Sequence, residues 1–282
     1  MKKNGMVFIL FWAALLLGAC ASKEAKDEVS QMDFQAEMEL RAPDPAAGER
    51  PKILFVGNSH TFYNDLAGTF ARIADDFGQR SDVYELSRGQ YSLKQFADPE
   101  NEMGMLFDST VSGKKWDFVI LQESSGNAMS SSAEENMFSD SRILDEKVKS
   151  AGGQTAFLMT WAPKDGMKNG LKKQSREELQ SIMANNYIAI SNELNDLLIP
   201  AGVAFMRCVQ EYPEIELWNQ DGKHPSPAGS YLAACTVYAV VYQKSPEHCG
   251  YTGQLEREEA EKLQKVAAEL ILNPGTAAPS SS

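Results

Sequence analysis

The sequence predicts an α/β domain built on a central parallel sheet of five strands, with helices on both faces. Two observations predict it. Short apolar runs alternate with longer stretches of helical spacing, the pattern of strand–helix–strand units whose crossovers cover a parallel sheet. The stretch over 51–272 is also long enough for one well-cored domain.

Taken in order, the strands are expected at 52–57, 82–86, 117–122, 154–160 and 203–206. The helices between them are expected at about 62–77, 101–112, 133–151 and 175–201. Ser226-Pro227 reads as a helix N-cap followed by proline at the first helical position, so a fifth helix runs over 227–243. A last amphipathic helix covers 256–272, and the small, polar tail 273–282 is expected to be disordered. Right-handed crossovers give the strand order 2-1-3-4-5. The turns after strands one, two and three then converge at one end of the sheet, where such folds place their chemistry.

The ends read differently from the middle. Lys2 and Lys3 precede an apolar stretch from Met6 to Leu17, too short for a comfortable span and shaped like a signal peptide over 1–19. It ends in Leu17-Gly18-Ala19-Cys20. Residues 20–50 are rich in Ala, Glu, Lys, Asp and Pro and read as a flexible tether, with some helical spacing over 32–40. A coil of that length would span roughly 30 Å. The formal net charge is −12 and no basic cluster stands out, so nucleic acid is not an expected partner. Beyond Cys20 there remain Cys208, Cys235 and Cys249, which leaves one disulfide or none open. The three histidines, His60, His224 and His248, are not clustered. No metal spacing is present, and no metal or cofactor is expected.

Two short segments carry chemistry. Gly57-Asn58-Ser59-His60-Thr61 follows the apolar run Ile53-Leu54-Phe55-Val56, and Asp221-Gly222-Lys223-His224-Pro225 lies near the far end. They supply a serine, an aspartate and a histidine. A serine hydroxyl is a weak nucleophile until an imidazole takes its proton, and a carboxylate orients the imidazole. Each residue alone has a blander role: Ser59 as a helix cap, Asp221-Gly222 as a turn pair, His224 as a surface histidine. His60 is read as structural or pocket-lining, because no carboxylate is obviously placed to orient it. Tyr63, Asn64, Tyr91 and Trp161 are candidates for substrate contact. No G-x-S-x-G elbow occurs, which argues against the α/β-hydrolase fold.

Both segments resemble the first and last blocks of the SGNH hydrolases, the GDSL-like lipase/esterase family, in a G-N-S variant. Ser87-Arg88-Gly89-Gln90 is similar to the second block. In the third, Gln122 stands where the family usually has the asparagine of G-x-N-D, with Asn127 as second candidate. The resemblance implies a flavodoxin-like three-layer sandwich and a triad of Ser59, His224 and Asp221. It implies oxyanion donors at Ser59, Gly89 and Gln122, and no cofactor. The expected activity is hydrolysis of small acyl esters. Acetyl on carbohydrate is suggested by the glutamine variant, so the partner is a small-molecule or glycan ester. The alternatives are acyl transfer on the same triad, or a non-catalytic surface binding protein. Leu17-Gly18-Ala19-Cys20 resembles the bacterial lipobox. That implies lipidation of Cys20 and an exported protein anchored to the cell membrane or outer membrane.

Overall fold

The computed structural model describes residues 38, 40–169 and 172–273. The expected signal peptide, Cys20, most of the expected tether with its helical stretch, and nearly all of the tail lie outside the described residues.

The sheet runs β1 (Lys52–Gly57), β2 (Asp82–Ser87), β3 (Phe118–Leu121), β4 (Gln154–Leu158) and β7 (Leu197–Ile199). Its spatial order is β2-β1-β3-β4-β7, every pairing parallel. This is the expected 2-1-3-4-5 order once the separate hairpin β5 (Met167–Asn169) and β6 (Lys172–Gln174) is set aside. The helices are α1 (Ser59–Phe62), α2 (Leu66–Asp76), α3 (Leu93–Ala97), α4 (Glu102–Gly113), α5 (Ser125–Ala128), α6 (Ser139–Ser150), α7 (Arg176–Leu194), α8 (Ala201–Glu211), α9 (Pro227–Tyr242) and α10 (Arg257–Leu272). In β1, Ile53, Leu54, Phe55 and Val56 are all buried, as a central strand covered on both faces must be. Against one face lies α9, with every residue from Ala228 to Val241 buried between α2, α8 and α10.

The fifth strand is a correction. The expected strand at 203–206 is part of α8, and the real strand lies inside the expected helix 175–201. Asn195 adopts a left-handed conformation, φ 58°, and ends α7, as a C-terminal cap does. Leu197, Leu198 and Ile199 then fill the sheet edge before Pro200. The run Val203-Ala204-Phe205-Met206 is apolar because that stretch of α8 is buried. Periodicity cannot separate a short buried strand from a short buried helix segment.

The expected helix 62–77 is also broken. Asn64 and Asp65 both adopt positive φ, 53° and 55°, so the chain kinks between α1 and α2. The expected helix 133–151 opens with a π-helical turn, Glu134–Phe138, before α6. Cys208, Cys235 and Cys249 are buried free thiols.

Residues 41–50 were expected in the tether, yet they lie along the domain. Arg41 Nε donates to Asn195 Oδ1 at 2.8 Å, the Asp44 N–H to Gln154 Oε1 at 2.7 Å, and the Ala47 N–H to Asp117 Oδ1 at 2.7 Å. Gln154 begins β4 and Asp117 precedes β3. The strap therefore follows the edge where the parallel strands start.

Candidate active site

The turns at the opposite end of the sheet hold the candidate residues. Val56 lies beside both Leu86 and Leu121 in register, so the chain leaves β1, β2 and β3 at one level. Asn58 joins these three exits. Its N–H donates to Gln122 Oε1 at 2.9 Å, and its Nδ2 donates to the Tyr91 carbonyl at 2.8 Å. Its Oδ1 accepts from the His60 N–H at 3.1 Å and caps α1. The second residue of the G-N-S segment is therefore the knot of the site, a role that sequence reasoning missed.

Ser59 is the first residue of α1. Its Oγ lies 2.8 Å from His224 Nε2, and His224 Nδ1 lies 2.5 Å from Asp221 Oδ2. The other Asp221 oxygen accepts from the backbone N–H groups of Lys223 and His224, both at 2.9 Å. The hydrogen bond from His224 leads the forces that hold the Asp221 carboxyl down to about 2, so it is ionised at neutral pH. An ionised carboxylate on Nδ1 fixes the tautomer whose Nε2 accepts the serine proton.

The His224 loop is stiffly held. Trp218 and Pro225 form an isolated bridge, and the Asn219 N–H donates to the His224 carbonyl at 2.7 Å. Gly222 takes φ +66°, a conformation that favours glycine, and its carbonyl accepts from the Lys164 N–H at 2.9 Å. Ser226 caps α9 with proline at its start, as expected. Tyr63 lies flat on the His224 ring, centroids 4.3 Å apart and planes 8° apart.

Gln122 departs from its expected oxyanion role. It is fully buried. Its Oε1 accepts from the Asn58 N–H and from the Thr61 hydroxyl, each at 2.9 Å, and its Nε2 donates to the Glu123 carbonyl at 2.5 Å. Thus the amide that was expected to face substrate fixes the Ser59 turn from below. Gly57 permits this, since a Cβ there would sit 2.4 Å from Gln122 Oε1. Asn127, the second candidate, donates to Glu123 Oε1 at 3.4 Å and to the Asn136 carbonyl at 3.0 Å.

Gly89 lies exposed in the turn after β2, with the tip of Phe62 3.8 Å from where a Cβ would stand. Among the described residues no internal hydrogen bond occupies the Ser59 or Gly89 N–H. Both remain available to a substrate oxygen.

His60 is not set up as a base. Its ring centroid is 5.4 Å from that of His224 and 5.4 Å from that of Trp161. Burial, then the charge of His224, pushes its pKa down to about 4, so it is neutral. Ser125 Oγ lies 3.4 Å from its Nε2. Trp161 is buried and stacked on Phe205 at 4.0 Å. Its Nε1 donates to the Lys223 carbonyl at 3.1 Å, which makes it a support of the loop. Glu123, fully buried beside Gln122, was also missed. Its carboxylate accepts from the Leu93 N–H at 3.3 Å and from the Ser124 N–H. It ties the segment after β2 to the segment after β3. Among the described residues no His/Cys/Asp/Glu group is placed to hold a metal ion.

No family model and no curated protein matches this chain. Solved structures do. The chain is similar to a proposed SGNH hydrolase from Slackia heliotrinireducens, 28% identical, covering 68% of this chain and 98% of that one, TM-score 0.59. It is similar to a DUF4886 family protein from Bacteroides uniformis, 17% identical over 82% and 98% of the two chains, TM-score 0.68. A psychrotrophic esterase from Pseudoalteromonas is 13% identical over 68% and 97%, TM-score 0.51.

Proposed function

We propose that this chain, whose fold is similar to that of an SGNH hydrolase, is a serine esterase acting on small acyl esters. The observation that carries the reading is the hydrogen-bonded line Ser59–His224–Asp221 at the ends of parallel strands. Ser59 Oγ attacks the ester carbonyl carbon while His224 Nε2 takes its proton. The oxygen that gains charge lies against the N–H groups of Ser59 and Gly89. The intermediate collapses, the C–O bond to the alcohol breaks, and His224 returns the proton to the departing oxygen. Water, deprotonated by His224, then cleaves the acyl-serine.

Acetyl on carbohydrate was suggested by Gln122 as an oxyanion donor. Its buried placement removes that ground, and the substrate class stays at small acyl esters. The chain before residue 38 carries the second part of the proposal: export, with Cys20 as the lipid-bearing residue of a membrane-anchored enzyme.

Ser59→Ala tests the mechanism. Hydrolysis of p-nitrophenyl acetate and labelling by a fluorophosphonate should both be lost, with circular dichroism unchanged. Retention of more than about a tenth of kcat, on the scale of tenfold per 1.4 kcal/mol, refutes the nucleophile.

A further inference from the structure

The short segment that carries the nucleophile also grips the loop that carries the base. His60, next to Ser59, lies against the Lys223–His224 side of that loop. Its Nε2 faces Ser125 Oγ at 3.4 Å, and its ring lies 5.4 Å, centroid to centroid, from that of His224. On that side the Lys223 carbonyl accepts from Trp161 Nε1 at 3.1 Å, and the Trp161 ring centroid is 5.4 Å from that of His60. Ser125 in turn lies 3.4 Å from Thr160 Oγ1 at the exit of β4.

One turn further on, Asn64 lies against the Pro225 side. Its Nδ2 donates to the Pro225 carbonyl at 2.9 Å and to Ser230 Oγ at 2.9 Å. It does so from a left-handed backbone, φ 53°. Between these two, the Tyr63 ring covers the His224 imidazole, centroids 4.3 Å apart. The residues immediately before and after His224 are thus each held through their carbonyls, and the ring between them is held by its face. Asn64 and Tyr63, with His60 packed beside the His224 ring, all lie within five residues of Ser59.

We infer that residues 59–64 form a bracket in which His60, Tyr63 and Asn64 are positioning residues for His224, fixing its Nε2 against Ser59 Oγ. The inference rests on the reading of Ser59 and His224 as nucleophile and base. It explains three features that the triad leaves unused: a neutral histidine beside the nucleophile, an aromatic ring parallel to the imidazole, and two consecutive left-handed residues that break the helix. The nucleophile and base lie 165 residues apart in sequence. With the bracket, a shift of the nucleophile turn carries the base loop with it, and their separation is preserved. A displacement of about 1 Å between reacting groups can cost about 10²-fold in rate.

The experiment pairs kinetics with a readout that needs no activity. His60→Phe keeps a ring and removes its polar nitrogens, whereas His60→Asn returns an amide close to their place. Asn64→Gly keeps the left-handed backbone and removes the donor to Pro225. With p-nitrophenyl acetate, His60→Phe and Asn64→Gly should each lower kcat by about 10- to 100-fold with KM changed less than about twofold. His60→Asn should recover most of the loss. The chain has three histidines, so the His224 ring signals are readily assigned by NMR. They should shift or broaden in His60→Phe and Asn64→Gly and return toward wild type in His60→Asn. Loss of kcat with unchanged His224 signals overturns the bracket, as does a changed signal with unchanged kcat, or an equal loss in His60→Asn and His60→Phe. If wild type and Ser59→Ala are equally inactive on esters, the esterase reading fails. The NMR arm alone then decides whether the bracket holds His224.

Discussion

Replacing Gln122 by alanine separates a residue that touches substrate from one that holds the nucleophile turn. Its side chain satisfies the Asn58 N–H, the Thr61 hydroxyl and the Glu123 carbonyl, all in a site closed to water. Thr61 can rotate its hydroxyl, but among the described residues the Asn58 N–H makes its hydrogen bond to Gln122 Oε1 alone. A buried donor left unpaired costs about 1–3 kcal/mol, and the cavity left by the truncated side chain adds about 1 kcal/mol or more. Together they predict a loss of about 3 kcal/mol. In a domain of this size each kcal/mol moves Tm by about 2–4 °C, so Gln122→Ala should melt about 6–12 °C below wild type. Its kcat should also fall, because the turn bearing Ser59 loses its support. Scanning calorimetry beside p-nitrophenyl acetate kinetics measures both. An oxyanion donor would behave otherwise, with a kcat loss of about 10²–10³ and an unaltered fold. A Tm within about 2 °C of wild type beside a hundredfold fall in kcat would refute the buried, structural role argued for Gln122.

Two further outcomes follow from the same geometry, and a third from the proposed anchor. Burial pushes the Glu123 carboxyl up from an ordinary 4.5 to about 7. The folded protein then binds this proton more tightly than the unfolded chain, and stability falls as pH rises from about 4.5 to about 7. Glu123→Gln should flatten urea-derived stability across that window, and an unchanged slope contradicts the assignment. Asp221 is held down to about 2. Its contribution is whole above its ordinary 3.8 and is lost as pH falls from about 4 toward 2; Asp221→Asn should remove that acid dependence and no other. For the anchor, mass spectrometry of the mature N-terminal peptide should find acyl groups on Cys20, and Cys20→Ser should release the protein from membranes. An unmodified mature terminus elsewhere rules out the anchor.

Sequence patterns reached the sheet order, and the structure brings Ser59, His224 and Asp221, singled out in sequence with the help of the family resemblance, into one hydrogen-bonded line. A continuous apolar run marks β1, and Ser226-Pro227 marks the start of α9 behind the histidine. What escaped depends on contacts between distant segments. Gln122 occupies its expected place after β3, but the direction of its amide is set by Gly57, 65 positions earlier, which leaves room for it. The break at Asn64 and Asp65 leaves no mark in apolar spacing, since Leu66, Phe70 and Ile73 continue a helical face. Asn64 turns the backbone because Pro225 and Ser230 receive its side chain. β7 has three residues, too few for any period to show.

The strap at 41–50 gives the molecule an orientation. It meets the sheet beside Lys52, Asp117 and Gln154, where the strands begin, and Ser59 stands where they end. Six residues of strand place these two levels roughly 20 Å apart. The chain thus enters the domain at the end of the sheet opposite its reactive serine, so whatever precedes the strap leaves from the far side of the site.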